Sequence, residues 1–381
     1  KPITQGQAEC EKSAWACNYY AEQGQAFLQP EYMPTDAAHS YVTFEPLGVL
    51  LAVMPWNFPI WQVVRCAAPA LAAGNAVVLK HASNVPGCAR ELALLFRDAG
   101  FPRDLFCSLF INDETALALV KHPAISAVSV TGSVATGRAV ALAAAKVLKK
   151  CVLELGGSDP YLVLEDADPI AAAAICVESR LINCGQSCIA AKRLIVTRNI
   201  AKPFTDEVVH LMSQRTPGDP TDEATTLGPM ARVDLRDELH RQVHDSVARG
   251  ALLLLGGHVP TQAGAWYPPT VLARVRAGMP AYHEELFGPV AAIIEAVNDD
   301  DAIRIANDTP FGLGGAVFTT DRDRGERIAS KQLNAGSCFV NALVRSDPRL
   351  PFGGIKHSGY GRELGAFGIR EFVNVKTVYV K

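Results

Sequence analysis

Residues 48–59 read Gly48-Val49-Leu50-Leu51-Ala52-Val53-Met54-Pro55-Trp56-Asn57-Phe58-Pro59, an apolar run that ends at a proline-bounded turn. Apolar side chains on both faces of so short a segment describe a strand covered on both sides, the situation of a parallel sheet between helix layers. The following residues repeat the pattern. Residues 61–73 predict a helix stopped by Gly74-Asn75, residues 76–79 a strand, and residues 88–99 a helix. Residues 105–110 and 127–130 predict further strands, residues 134–148 an alanine-rich helix, and residues 151–155 another strand. This alternation predicts a doubly wound α/β unit of cofactor-binding size, whose ligands bind at the carboxyl ends of the strands.

A second α/β unit follows. Residues 169–183 predict a helix, residues 194–196, 251–255, 290–296 and 315–318 strands, and residues 233–249 a strongly charged, exposed helix. The tail 371–380 alternates as a strand does. With residues 32–44 it is a candidate for extending a sheet across a subunit boundary.

At 381 residues the chain exceeds one ordinary core, so two or three domains are expected. A net charge of −3 gives no basis for binding nucleic acid or an anionic membrane. No apolar run reaches the length of a membrane span. The ten cysteines are scattered without the paired spacing of a metal site, which suits a reducing, cytoplasmic compartment. The chain opens at Lys1 without a recognisable signal peptide, directly into a helical stretch at residues 8–22.

Two runs carry chemistry. Cys188 lies in Asn183-Cys184-Gly185-Gln186-Ser187-Cys188-Ile189-Ala190, and Glu154 in Leu153-Glu154-Leu155-Gly156-Gly157. A thiol and a carboxylate, each in a glycine-containing turn at the end of a regular segment, suit a covalent nucleophile and its general base. The dinucleotide fingerprint GxGxxG is absent. Gly132-Ser133-Val134-Ala135-Thr136-Gly137 instead places two glycines at a strand-to-helix junction, where free N–H groups meet a phosphate or simply close a tight turn. His240 and His244 are expected to be solvated on the charged helix. Cys184 is either a disulfide partner for Cys188 or, as expected here, a spectator thiol.

Taken with Pro55-Trp56-Asn57-Phe58-Pro59, Gly74-Asn75 with Lys80, Thr131-Gly132-Ser133, Glu284-Glu285-Leu286-Phe287-Gly288-Pro289, and Pro351-Phe352-Gly353-Gly354-Ile355-Lys356 followed by Ser358-Gly359 and Gly361-Arg362-Glu363, these runs resemble the aldehyde dehydrogenase superfamily from end to end. Residues 78–89, 151–161 and 227–240 are more narrowly similar to bacterial succinate-semialdehyde dehydrogenases. In that family several dozen residues precede the point where this chain begins.

The resemblance implies two doubly wound α/β domains and a small β oligomerisation element. Residues 1–30 and 47–155 would bind NAD(P), residues 156–365 would form the catalytic domain, and residues 31–46 and 366–381 would supply oligomerisation strands of a homodimer or homotetramer. It implies Cys188 as nucleophile, Glu154 as base and Asn57 as oxyanion donor, with no metal. It gives the cofactor, NADP or NAD, to Trp56, Lys80, Ser83, Gly132, Ser133, Glu285 and Phe287. Ser83 departs from the glutamate with which NAD-preferring relatives exclude a 2′-phosphate, which favours NADP. For a small-molecule aldehyde ending in a carboxylate it implies Arg65, because a guanidinium pairs with a carboxylate through two parallel hydrogen bonds. The family's second arginine is replaced by Ile182, leaving Arg180 and Ser346 as further candidates. Two alternatives stay open: a cofactor-independent thiol esterase, and a catalytically silent partner-binding scaffold.

Overall fold

The computed structural model describes residues 1–215 and 217–381. The chain divides into two compact units. One comprises Ala8–Leu155, Ser346–Gly353 and Gly359–Lys381; the other comprises Lys1–Gln7, Gly156–Arg345 and Gly354–Ser358. Residues 1–7 pack with the Cys188-bearing unit, because the Ile3 N–H donates to the Pro220 carbonyl at 2.7 Å. Residues 346–353 and 359–365 pack with the other, where Phe352 and Glu363 exchange backbone hydrogen bonds.

In the first unit a six-stranded sheet runs, among the described residues, in the order Gly359–Tyr360, Lys150–Glu154, Ile125–Thr131, Val49–Met54, Ala76–His81, Phe106–Ser108. All neighbours are parallel except the first pair. The strand Val49–Met54 enters at the middle. Its Leu50, Leu51 and Ala52 are wholly buried, each leucine contributing roughly 1.5–3 kcal/mol of transfer free energy. The next two strands lie on one side of it and the following two on the other, so the chain reverses direction across the sheet at this strand. Such a reversal is where open α/β sheets bind ligands. The carboxyl ends deliver the Asn57 turn, the Lys80–Ser83 turn, Gly132-Ser133 and Glu154 to one edge. This unit also carries a three-stranded antiparallel sheet of Glu31–Tyr32, His39–Pro46 and Val373–Val380.

The second unit is built on a seven-stranded sheet ordered Leu252–Leu255, Thr270–Ala273, Val290–Ala296, Ala191–Thr197, Asp159–Val163, Gly314–Phe318, Ser337–Val340, again among the described residues. Only the first pair is antiparallel. Every residue of Ala191–Thr197 and Asp159–Val163 is buried. The latter strand escapes a sequence reading because Pro160 argues against a central strand. The register shift between Asp159 and Pro160 is the irregularity that admits it.

Candidate active site

The Cys188 turn is held by strained backbone and by glycines that leave room for neighbours. The helix Pro169–Leu181 ends in a turn where Asn183 (φ 55°), Cys184 (φ 56°) and Gly185 (φ 76°) are all left-handed. Each non-glycine residue in that region costs on the order of 1 kcal/mol. Hydrogen bonds offset this: Asn183 N–H donates to Gln5 Oε1 at 2.8 Å, Asn183 Nδ2 to the Gln186 carbonyl at 3.0 Å, and Ala231 N–H to Gln186 Oε1 at 2.9 Å. Gly185 admits no side chain, since a Cβ there would stand 2.3 Å from the Gly288 carbonyl.

Lys192, absent from the sequence reading, secures the turn from beneath. Its side chain is wholly buried on the strand Ala191–Thr197, and Nζ donates to the carbonyls of Ser187 at 2.8 Å and Cys188 at 2.7 Å. The same Nζ lies 3.5 Å from Glu285 Oε1 and 6.0 Å from the Phe287 ring centre. Burial pulls its pKa below the ordinary amine value, while Glu285 opposes that shift. Glu285 Oε1 also accepts from Gly157 N–H at 3.0 Å. A Cβ on Gly156 would stand 2.3 Å from Glu285 Oε2, and one on Gly157 would stand 2.8 Å from the Cys188 carbonyl oxygen. The glycine pair is thus required by the close approach of Glu285 and of the cysteine turn. A lysine inside an otherwise apolar strand was the available signal for Lys192. Cys188 itself is half-buried, whereas Cys184 is fully buried and its Sγ accepts from Gly228 N–H at 3.2 Å, which suits the spectator role.

Arg180, a candidate carboxylate receptor, serves the same turn. It is fully buried, and its guanidinium donates to the carbonyls of Gly185 and, at 3.3 Å, Ala191. Those bonds brace the Cys188 turn. His240 contacts the Tyr267 hydroxyl at 3.2 Å, and His244 is exposed beside Asp245.

In the other unit Asn57 is buried in the turn joining Val49–Met54 to the helix Trp61–Ala72, with Trp56 half-buried next to it. No side chain within the turn caps that helix. Glu9 does so from the helix Ile3–Phe27, its Oε1 accepting from Ile60 N–H at 2.7 Å and Trp61 N–H at 2.9 Å. His81 ties the turn from below. Its Nε2 lies 2.8 Å from the Pro59 carbonyl, and its Nδ1 lies 2.9 Å from Ala82 N and 3.2 Å from the Met54 carbonyl. Burial lowers the pKa of this imidazole. Neither Glu9 nor His81 has a sequence signature, because both act on the turn from other elements.

Glu154 ends the strand Lys150–Glu154 and is buried, with neither carboxylate oxygen hydrogen-bonded to a described residue. Burial raises its pKa well above the ordinary carboxylate value, and the like charge of Glu363 adds to that. Arg65 and Arg362 act the other way. Gly353 makes room for it, as a Cβ there would stand 2.6 Å from Glu154 Oε1.

Arg65, expected to receive a substrate carboxylate, is instead almost wholly buried. Its guanidinium pairs with Glu363, contacts the Thr131 hydroxyl at 3.4 Å, and lies 4.6 Å from the Phe352 ring centre. Ser346 is buried, and its hydroxyl accepts from Lys12 Nζ at 2.8 Å.

Among the cofactor candidates, Ser133 caps the helix Val134–Ala145 by accepting from Thr136 N–H at 3.2 Å, with Gly132 half-buried before it. Lys80 is buried and ion-paired with the exposed Asp113, so its charge is already partly matched. Ser83 is exposed in the turn after Ala76–His81. Within this unit the capped helix end offers N–H groups to a phosphate, and the Ser83 turn itself presents no carboxylate.

The aldehyde dehydrogenase family matches residues 1–378. A succinate semialdehyde dehydrogenase [NAD(P)+] of Escherichia coli is 49% identical over 379 residues, spanning 100% of this chain and 82% of that protein. A probable succinate-semialdehyde dehydrogenase [NADP(+)] of Synechocystis is 47% identical over 380 residues, spanning 100% and 84%. Among solved structures, succinic semialdehyde dehydrogenase from Streptococcus pyogenes in complex with NADP+ superposes with a TM-score of 0.97 at 36% identity, covering 100% of this chain and 83% of that one.

Proposed function

The chain belongs to the aldehyde dehydrogenase family, and from that premise we propose that it oxidises succinate semialdehyde to succinate with NADP or NAD. The observation that carries the dehydrogenase reading is Lys192, which ties the Cys188 turn to Glu285, the carboxylate assigned to the nicotinamide ribose. A thiol esterase without a cofactor has no use for that linkage.

In this reaction the Cys188 thiolate attacks the aldehyde carbon, forming the S–C bond of a thiohemiacetal. The Asn57 amide and the Cys188 N–H donate to the developing oxyanion, one such donor being worth roughly 10²–10³ in rate. NADP or NAD, when bound, would supply the hydride acceptor, and loss of hydride from the thiohemiacetal carbon leaves a thioester on Cys188. Glu154 takes a proton from the attacking water, and the C–S bond breaks to release the carboxylate. The absence of a hydrogen-bond partner for either Glu154 oxygen among the described residues suits it to hold that water. Ser133 and the N–H groups after it are assigned to the pyrophosphate, Lys80 and Ser83 to the adenosine ribose, and Trp56 and Phe287 to the remaining cofactor contacts. Residues 8–155 thereby take the nucleotide-binding role.

The direct test is an aldehyde panel with both nucleotides, followed at the reduced-nicotinamide absorbance. Succinate semialdehyde should give the highest kcat/KM. Ester hydrolysis without nucleotide-dependent aldehyde oxidation would support the esterase instead. Within the panel, Ser83→Glu should raise KM for NADP by roughly tenfold or more relative to NAD, through repulsion of the 2′-phosphate. Equal effects on both nucleotides would show that residue 83 does not meet that phosphate.

Glu154 works as a base only when ionised, so the rate should fall as pH drops through its raised pKa, with an acid limb above the ordinary carboxylate range. Glu363→Gln removes the like charge that helps raise it, so the limb should move to lower pH. A limb that stays in place in the pH profile of kcat would assign it to another group.

The three-stranded sheet leaves Tyr32, Val375 and Tyr379 exposed, which supports its use as a subunit contact in a homodimer or homotetramer. None of the ten cysteines forms a disulfide, which supports a reducing, cytoplasmic setting. No helix among the described residues is long and apolar enough to cross a membrane.

A further inference from the structure

We propose that the Lys192 ammonium is the positioning cation that holds the Cys188 thiol in its ionised form, a role beyond its grip on the backbone of the turn. This rests on the reading of Cys188 as the nucleophile and adds the group that makes the thiol nucleophilic. A cysteine attacks as its thiolate, and a thiol without assistance stays largely protonated at neutral pH.

The geometry around Lys192 suits the charged form. Its side chain is 1% exposed, and an ammonium offers three N–H donors and no acceptor. The Ser187 and Cys188 carbonyls accept from it at 2.8 and 2.7 Å, and Glu285 Oε1 faces the amine at 3.5 Å. A neutral amine would have one hydrogen fewer and would turn its lone pair toward an oxygen. Burial works against the charge, and Glu285 and Asp159 work for it.

Cys188 belongs to the same set of charges. A thiolate there raises the Lys192 pKa, and because an attraction between two charges acts on both, the ammonium lowers the thiol pKa in return. Within this unit Arg180, Asp159 and Glu285 also act on the amine. Arg180 donates to the Gly185 and Ala191 carbonyls. Asp159 is buried behind Gly157, and burial pushes its pKa up to about 7, so near neutral pH it cancels only part of the lysine's charge. The Glu285 side chain is 23% exposed, so water shares its field. The result is a buried cation bonded to the residue that bears the thiol, in surroundings where a charge pair interacts more strongly than in water. Cys188 is half-buried, so its proton can pass to solvent.

The experiment follows alkylation of Cys188 by iodoacetamide as a function of pH, without added nucleotide, read by peptide mass spectrometry so that Cys188 is resolved from the other cysteines. The midpoint of the profile reports the thiol pKa, and the plateau at high pH reports access to the thiolate. Lys192→Met should raise the midpoint by about one pH unit or more, roughly tenfold less alkylation at neutral pH, and keep the plateau. Lys192→Gln, which still donates to a carbonyl but carries no charge, should behave the same way, and Lys192→Arg should recover part of the shift. Glu285→Gln, at a part-exposed position, removes the carboxylate that competes for the ammonium and should move the midpoint down. Thermal melts check that each variant folds. An unmoved midpoint in Lys192→Met or Lys192→Gln, or a lowered plateau with the midpoint in place, would make Lys192 a brace of the turn alone and overturn the proposal. Full aldehyde oxidation after complete alkylation of Cys188 would instead overturn the nucleophile reading itself.

Discussion

Cys188→Ala should abolish NAD(P)-dependent aldehyde oxidation while leaving the fold and nucleotide binding intact. The turn that carries Cys188 is organised through backbone atoms. Lys192 binds the carbonyls of Ser187 and Cys188, and Gly157 makes room for the latter. None of these contacts involves the thiol, so alanine keeps the turn, its N–H donor and the link to Glu285. Only the nucleophile is lost, and with it both the thiohemiacetal and the thioester. Turnover should fall below detection at the reduced-nicotinamide absorbance, while a melt still shows stabilisation by added NADP. Cys184→Ala is the contrasting control. It strands the Gly228 N–H at a cost of about 1–3 kcal/mol, so it should lower stability while chemistry continues in the folded fraction. Full steady-state activity in Cys188→Ala would dispose of the covalent mechanism.

The contrast between these thiols shows what a sequence conveys. The repeated strand–helix pattern from residue 48 onward is local physics, and it placed the sheets and the turns at their carboxyl ends. The glycines of Glu154-Leu155-Gly156-Gly157 were legible as a motif. Their cause was not, because Glu285 and Cys188 reach them from distant parts of the chain. Lys192, Glu9 and His81 were missed for the same reason: each acts on a turn to which it does not belong. Asp159–Val163 was missed because Pro160 speaks against a buried strand, and only pairing on both sides overrides it. Arg65 has a partner that the sequence does not reveal. Its offset from Asn57 suggests a receptor, and no local pattern could reveal that Glu363 folds back onto it.

That pairing sets the second large effect. Arg65→Leu should destabilise the protein by about 3–5 kcal/mol, the cost of stripping one partner from a buried ion pair. Both side chains are only 3% exposed, so Glu363 would be left as a buried charge with little access to water. Glu363 would then take up a proton or admit solvent, and either response disturbs Glu154 nearby. Arg65 holds the Glu154 pKa down, so its removal should move the acid limb of the rate profile to higher pH, opposite to Glu363→Gln. Charged and neutral aldehydes should suffer alike if the main work of the guanidinium is its pairing with Glu363. The double variant Arg65→Leu/Glu363→Leu should recover much of the lost stability, since replacing both partners removes the stranded charge. Denaturant melts of the two single variants and the double variant measure this coupling directly. An unchanged melt for Arg65→Leu, together with loss confined to the charged aldehyde, would assign Arg65 to the substrate carboxylate.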